Sequence, residues 1–127
     1  MIRPQYHFRR DAGRVLVWNV AKLIAELGDD PPTRDIRLDQ IREIDETYWY
    51  DLEGAAPTCR SILHHARLIA QADLQWPILL CPAGRVMDGM HRVLKALDLG
   101  HTHIASHRLP HLPSPDFIDP DPRDLTY

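Results

Sequence analysis

Apolar residues in this chain fall into short blocks separated by glycine and proline, and two of the blocks repeat with a helical period. In the first, Cys59, Ile62, Leu63, Ala66, Ile69 and Ala70 share one arc of about 120°, with Arg60, His64, Arg67 and Gln71 opposite and Leu68 as the exception. Thr58 stands in front as an N-cap, so a helix is predicted from there, with Cys59 a packed core thiol. The second block runs from Gly89 to Gly100. With His91 at zero, Lys95 falls near 40°, Asp88 near 60° and Arg92 near 100°, while Val93, Leu97, Met90 and Leu94 fall between roughly 200° and 300°. One face is charged and the other apolar. Asp88 is available as N-cap, and Gly100 supplies the stop.

Shorter blocks predict strands. Residues 15–18 form one, after which Asn19 caps a helix through Leu27 with Gly28 beyond its end. Pro31 and Pro32 force an extended connection. Residues 35–38 alternate as a strand, and Asp39 can cap a brief helix carrying Ile41 and Ile44. Residues 78–81 and 85–87 pair as a hairpin around Cys81-Pro82-Ala83-Gly84, and residues 103–108 make the final strand. The expected class is α+β, a small mixed β-sheet with packed helices. Three regions follow: a loop-like basic arm over 1–14 with Arg3, Arg9, Arg10 and Arg14, a domain over 15–108, and a Pro/Asp-rich tail over 109–127. The tail is expected to be extended or disordered, with Phe117, Ile118, Leu125 and Tyr127 as apolar anchors. It could hug the surface or bind a protein partner.

Composition narrows the partners. The 127 residues suffice for one core without staples. A net charge of −3 gives no general attraction to nucleic acid or anionic membrane, although a local basic patch would still allow nucleic acid. No apolar run approaches the ~18 residues of a membrane span, and Met1-Ile2-Arg3-Pro4 opens no signal peptide. Two cysteines make no disulfide scaffold, so a cytoplasmic setting is expected.

Candidate chemistry concentrates at the start of the second helix. A helix N-terminus presents unpaired N–H groups and partial positive charge, so it suits an anion. Gly89, Met90, His91, Arg92 and Lys95 therefore form a candidate phosphate seat. Asp88 and His91, three residues apart, could act as a general acid–base pair or simply cap the turn. The eight histidines include His101, His103, His107 and His111, yet no cysteine or carboxylate completes a metal set, and His64 and His65 diverge on their helix. No metal site is assigned. Tyr48-Trp49-Tyr50, set among Glu43, Asp45, Glu46, Asp51 and Glu53, could wall a base-stacking site or join the core. Arg9 and Arg10 would enlarge an anion site if they lay nearby.

Residues 89–100, preceded by Trp76-Pro77-Ile78-Leu79-Leu80 and Val86-Met87-Asp88, resemble the phosphate-binding helix, strand and hairpin of the ParB/sulfiredoxin superfamily. The resemblance covers residues 15–108. It implies a ParB-like N-terminal (ParB-like nuclease) domain binding a nucleotide or other phosphorylated small molecule, such as a nucleoside triphosphate with magnesium. Met90 stands where sulfiredoxins carry their reactive cysteine, so thiolate repair chemistry is not expected. The pattern after residue 108 is not helical, so a ParB-type helix-turn-helix is not expected either. The alternatives are a metal-dependent phosphoryl-transfer or nuclease enzyme, with Asp88 and His91 as its chemistry, and a non-catalytic protein-interaction module. Whether the chain is an enzyme is left open at this point.

Overall fold

The computed structural model describes residues 5–51 and 56–125; Arg3, Glu53 and Tyr127 of the expectations above lie outside them. The chain is a small mixed α+β fold. Strands β1 (Tyr6–Asp11) and β2 (Arg14–Asn19) form a hairpin, followed by α1 (Val20–Ala25) and β3 (Arg34–Arg37). Three 3-10 turns, Leu38–Gln40, Arg42–Asp45 and Tyr48–Tyr50, lead towards α2 (Cys59–Gln71). Then come β4 (Ile78–Leu80), β5 (Val86–Asp88), α3 (Met90–Asp98), β6 (His103–Arg108) and β7 (Phe117–Ile118).

A four-stranded mixed sheet of order β3-β6-β4-β5 organises the chain. β6 runs antiparallel to β3 and parallel to β4, and β4 pairs antiparallel with β5. All three residues of β4 are buried, as a strand covered on both faces requires. Ile78, Leu80 and Val86 join Met90, Val93 and Ala96 of α3, with Leu38 and Ile41 beside them. Leu79, Cys81 and Met87 point the other way and meet Trp18 of β2, Leu23 of α1 and Leu109. Period-two alternation thus divides two adjacent strands between two cores.

The second sheet, β1-β2-β7, unites the two ends of the chain. The expected loop-like arm is instead a strand. Ala12 (φ 49°) and Gly13 (φ 80°) supply the two left-handed residues of a tight hairpin, and β1 then pairs with β2 over its whole length. The tail is extended, and it straps β2. Asp116 and Asp119 N–H groups donate to the carbonyls of Val17 and Val15. The two aspartate side chains accept in return from the N–H groups of Asn19 and Val15, and Trp18 Nε1 donates to the Pro113 carbonyl.

Helix ends follow the capping residues, with corrections. Asn19 and Thr58 accept from Lys22 and Ser61 N–H as expected, while α1 ends at Ala25, before Leu27. Asp39 caps nothing and pairs with Arg37; Ile41 lies between two 3-10 turns and Ile44 within the second of them. The residue capping α3 is Gly89, not Asp88, whose carboxylate is drawn away by Arg92. On α2 the half-buried positions are Ser61, His65, Leu68 and Ile69, so the face turned inward is rotated from the apolar arc. Cys59 is exposed, not packed, and Ile62 (56%) and Leu63 (50%) face solvent. Leu97 of α3 is likewise outside the core. Among the described residues no helix is long and apolar enough to cross a membrane.

The strap makes a measurable contribution. Asp116→Ala removes the acceptor of the Asn19 N–H (2.7 Å) and the partner of Lys22 (3.3 Å). Urea denaturation should show it less stable than the parent by about 1–2 kcal/mol.

Candidate ligand cleft at the N-terminus of α3

The cleft begins where β5 turns into α3. Gly89 makes that turn at φ +101°, and a Cβ there would lie 2.7 Å from Ile78 Cγ2 and 2.9 Å from Arg92 Nη2, so only glycine fits. No side chain caps the helix that follows. Gly89, Met90 and His91 line a cleft of about 450 Å³ together with Met87, Asp88, Tyr6, Tyr48 and Trp49. Backbone N–H groups at a helix start are therefore gathered with aromatic rings around one cavity.

The five seat residues separate into two sets. Gly89, Met90 and His91 line the cleft, while Arg92 and Lys95 do not. Arg92 Nη1 donates to the carbonyls of Trp76 (2.8 Å) and Pro77 (2.7 Å), and Nη2 to Asp88 (2.9 Å). Lys95 Nζ donates to the carbonyls of Ala70 (3.0 Å) and Ala72 (2.6 Å), which end α2. Both cations hold neighbouring elements in place through bonds to backbone oxygen. Asp88 is pushed up by burial, a shift that the Arg92 guanidinium and N–H donation by Gly89 reduce without cancelling.

His91 does not meet Asp88. Its Nε2 lies 2.9 Å from Nδ1 of His65, and the two rings are nearly coplanar, with centroids 5.2 Å apart. The indole of Trp49 stacks on both, at 4.2 Å from His65 and 4.6 Å from His91. Burial, then the neighbouring histidines, push His91 down to about 4, and His65 falls for the same reasons. This layer of two neutral imidazoles on one indole closes the α2 side of the site. The sequence placed Trp49 and His91 as separate candidates and did not connect His65 to either.

A second cleft, about 440 Å³, shares Tyr6, Tyr48 and Trp49 with the first and extends to Arg9, Arg10, Glu43 and Arg85. Arg9 and Arg10 thus line this second cleft and not the one at the start of α3. Hydrogen bonds fix the proton positions between the clefts. Arg9 Nε donates to His7 Nε2 (3.3 Å), and the Tyr48 hydroxyl donates to the Val86 carbonyl (3.2 Å). The remaining contact, His7 Nδ1 to Tyr48 Oη at 3.4 Å, must then be donated by His7. His7 is buried and neutral, pushed down to about 3 by desolvation and by the Arg9 cation. Tyr48 is held protonated by the same burial and by Asp88 and Glu43. Glu43, which the sequence showed only as one acidic residue among several, is 2% exposed and accepts from the Val86 N–H. Its flanking residues Ile41 and Ile44, both directed to the core, are the one signal that could have marked it.

Among the described residues no three or more His, Cys, Asp or Glu side chains gather as metal ligands. In comparisons with protein-family models, curated proteins and solved structures, nothing matches this chain.

Two outcomes are expected. Arg92→Ala should lose about 2–4 kcal/mol of stability in urea denaturation, because three bonds go and Asp88 is left buried without its cation. The histidines set a pH window. Their folded values lie below the ordinary 6.5, so the unfolded chain takes up protons first, and stability present above pH 6.5 is lost as pH falls towards about 4 for His91 and about 3 for His7. Asp88, raised when folded, contributes in the opposite sense: full at low pH and declining as pH rises through its folded value. Melting temperature followed from pH 7 to pH 4 should fall, and less steeply in His91→Gln.

Proposed function

We propose that this chain is a ParB/sulfiredoxin-like module that binds a nucleotide, its phosphate seated at the N-terminus of α3. The observation that carries the reading is the uncapped start of α3, where Gly89, Met90 and His91 line one cleft together with Tyr6, Tyr48 and Trp49. Free N–H groups and the helix dipole favour a phosphate, and aromatic rings favour a planar base. In this reading the anion contacts are backbone N–H groups with His91, and Arg92 and Lys95 act by holding α3 against β4 and α2. Magnesium accompanying a triphosphate would be held chiefly by the phosphates, since Asp88, the acidic residue lining this cleft, is engaged by Arg92.

Binding is favoured over phosphoryl transfer or nuclease chemistry because the two candidate acid–base residues have separate partners, Asp88 with Arg92 and His91 with His65. The tail is less available as a partner-binding arm because it is hydrogen-bonded along β2.

Thermal shift against nucleoside mono-, di- and triphosphates, with and without magnesium, tests the reading. A ligand at a hundred times its Kd stabilises by about 2.7 kcal/mol, several degrees in a domain of this size. His91→Glu places a carboxylate at the helix start, where it suits the dipole and repels phosphate. The expected outcome is a folded variant that no longer responds to nucleotide. An equal response in both proteins would move the phosphate elsewhere.

A further inference from the structure

The sheet β1-β2-β7 ends on one side in a bare strand edge, β1. On the other side, the Val15 and Val17 carbonyls accept from the Asp119 and Asp116 N–H groups, and the Val15 N–H donates to the Asp119 carboxylate. The main-chain groups of both valines therefore point towards the tail and away from β1. Val15 stands opposite Arg10, and Val17 opposite Phe8. In an antiparallel pair, the polar groups of directly opposed residues either face each other or are both turned away. The N–H and C=O of Phe8 and Arg10 are thus turned outward, to the side where β1 has no neighbouring strand. Among the described residues no hydrogen bond reaches these four groups. The second cleft runs along this edge. Tyr6, His7, Phe8, Arg9 and Arg10 all line it. Successive side chains of a strand point to opposite faces, so consecutive residues share one cleft where it follows the strand's rim. That rim spans roughly 13 Å at about 3.3 Å per residue, and an unbroken register leaves no bulge to blunt it.

We infer that β1 takes an extended peptide from a partner protein as a further antiparallel strand, apolar at two alternate positions and acidic at a third. The inference goes beyond the nucleotide reading and stands without it. Main-chain donors and acceptors on the edge supply the pairing, and the side chains beside them set the chemistry. On the face shared by positions 6, 8 and 10, the Tyr6 and Phe8 rings lie 6.5 Å apart, and Phe117 meets Tyr6 at 6.3 Å. An apolar residue opposite each of the β1 rings extends that cluster. Arg10 is exposed, and its Nε donates to the Asp51 carbonyl. It has no ion pair among the described residues, so a carboxylate opposite it supplies the missing charge. The far edge of the same sheet already holds a segment of this kind: the tail, whose Phe117 and Ile118 pair with β2 between Asp116 and Asp119. Antiparallel addition continues a sheet that is antiparallel throughout.

Amide NMR titration of the unmodified chain with a synthetic peptide, Glu-Thr-Val-Thr-Val-Ser blocked at both ends, tests this. Its glutamate is set to face Arg10, and its valines Phe8 and Tyr6. Shifts should centre on Phe8 and Arg10, and exchange of those two amide hydrogens should slow at least about tenfold at saturation. N-methylation of the glutamate and the first valine removes the N–H groups that answer the Arg10 and Phe8 carbonyls, so that peptide should not bind. Lysine in place of the glutamate should weaken binding. Arg10→Pro takes away an N–H that β2 does not use and fills the approach with its ring, so the hairpin should hold while the peptide is lost. Arg10→Ala keeps the N–H and should bind less tightly. Unprotected Phe8 and Arg10 amides at millimolar peptide, equal binding of the N-methylated peptide, or shifts confined to another surface would overturn the inference. A concentration-dependent dimer that disappears in Arg10→Pro gives the edge to a second copy of the chain and overturns it as well.

Discussion

One guanidinium fixes the geometry of the cleft. Arg92 reaches back from the first turn of α3 to the carbonyls of Trp76 and Pro77, just before β4, and to Asp88 at the end of β5. It thereby closes a loop of structure: strand, turn, strand and helix are tied at the point where chain direction changes. Gly89 makes the closure possible, because any Cβ there would meet Ile78 and the guanidinium itself. A helix start held this rigidly keeps its free N–H groups pointed at one place, and such preorganisation lowers the cost of binding an anion.

Around that fixed corner the polar groups are arranged by burial. His65 and His91 lie edge to edge, their nitrogens aimed at one another at 2.9 Å, with Trp49 flat across both. His7, Arg9 and Tyr48 form a second chain whose proton positions follow from the donors at either end. Both sets keep histidines neutral in the interior, as burial without a counter-ion demands. They form walls, and beside them Glu43 Oε1 and Arg9 Nη2 are buried without a hydrogen-bond partner among the described residues.

The elements were legible where a local rule decided them. Thr58 and Asn19 are caps, the turn at residues 81–84 is a hairpin turn, and residues 103–108 are a strand from the first residue to the last. The first strand was obscured by its arginines, whose charge suggested an arm; the pairing partner and the Ala12-Gly13 turn decide the matter instead. On α2 the six-residue apolar arc pointed to one inward face, but the half-buried positions are Ser61, His65, Leu68 and Ile69, and His65 is the one that meets His91 of α3. Periodicity gives the direction of an arc, and only the neighbour's position says which part of it is covered.

The site divides along the same line. Sequence alone placed a glycine-started helix after a strand and marked Gly89, Met90 and His91, because phosphate-suited turns are local in the chain. It also marked Arg92 and Lys95 as ligand cations, since a side chain's charge is written in the sequence while its partner is not. Tertiary structure assigned those two to carbonyls 15 and 16, and 23 and 25, residues earlier in the chain. It also brought Glu43, His7 and Arg9 to the same cavity from segments far from α3. Those contacts depend on how two sheets pack across Trp18, Leu79 and Met87. Packing of that kind is set by the whole core at once, which no window of residues contains.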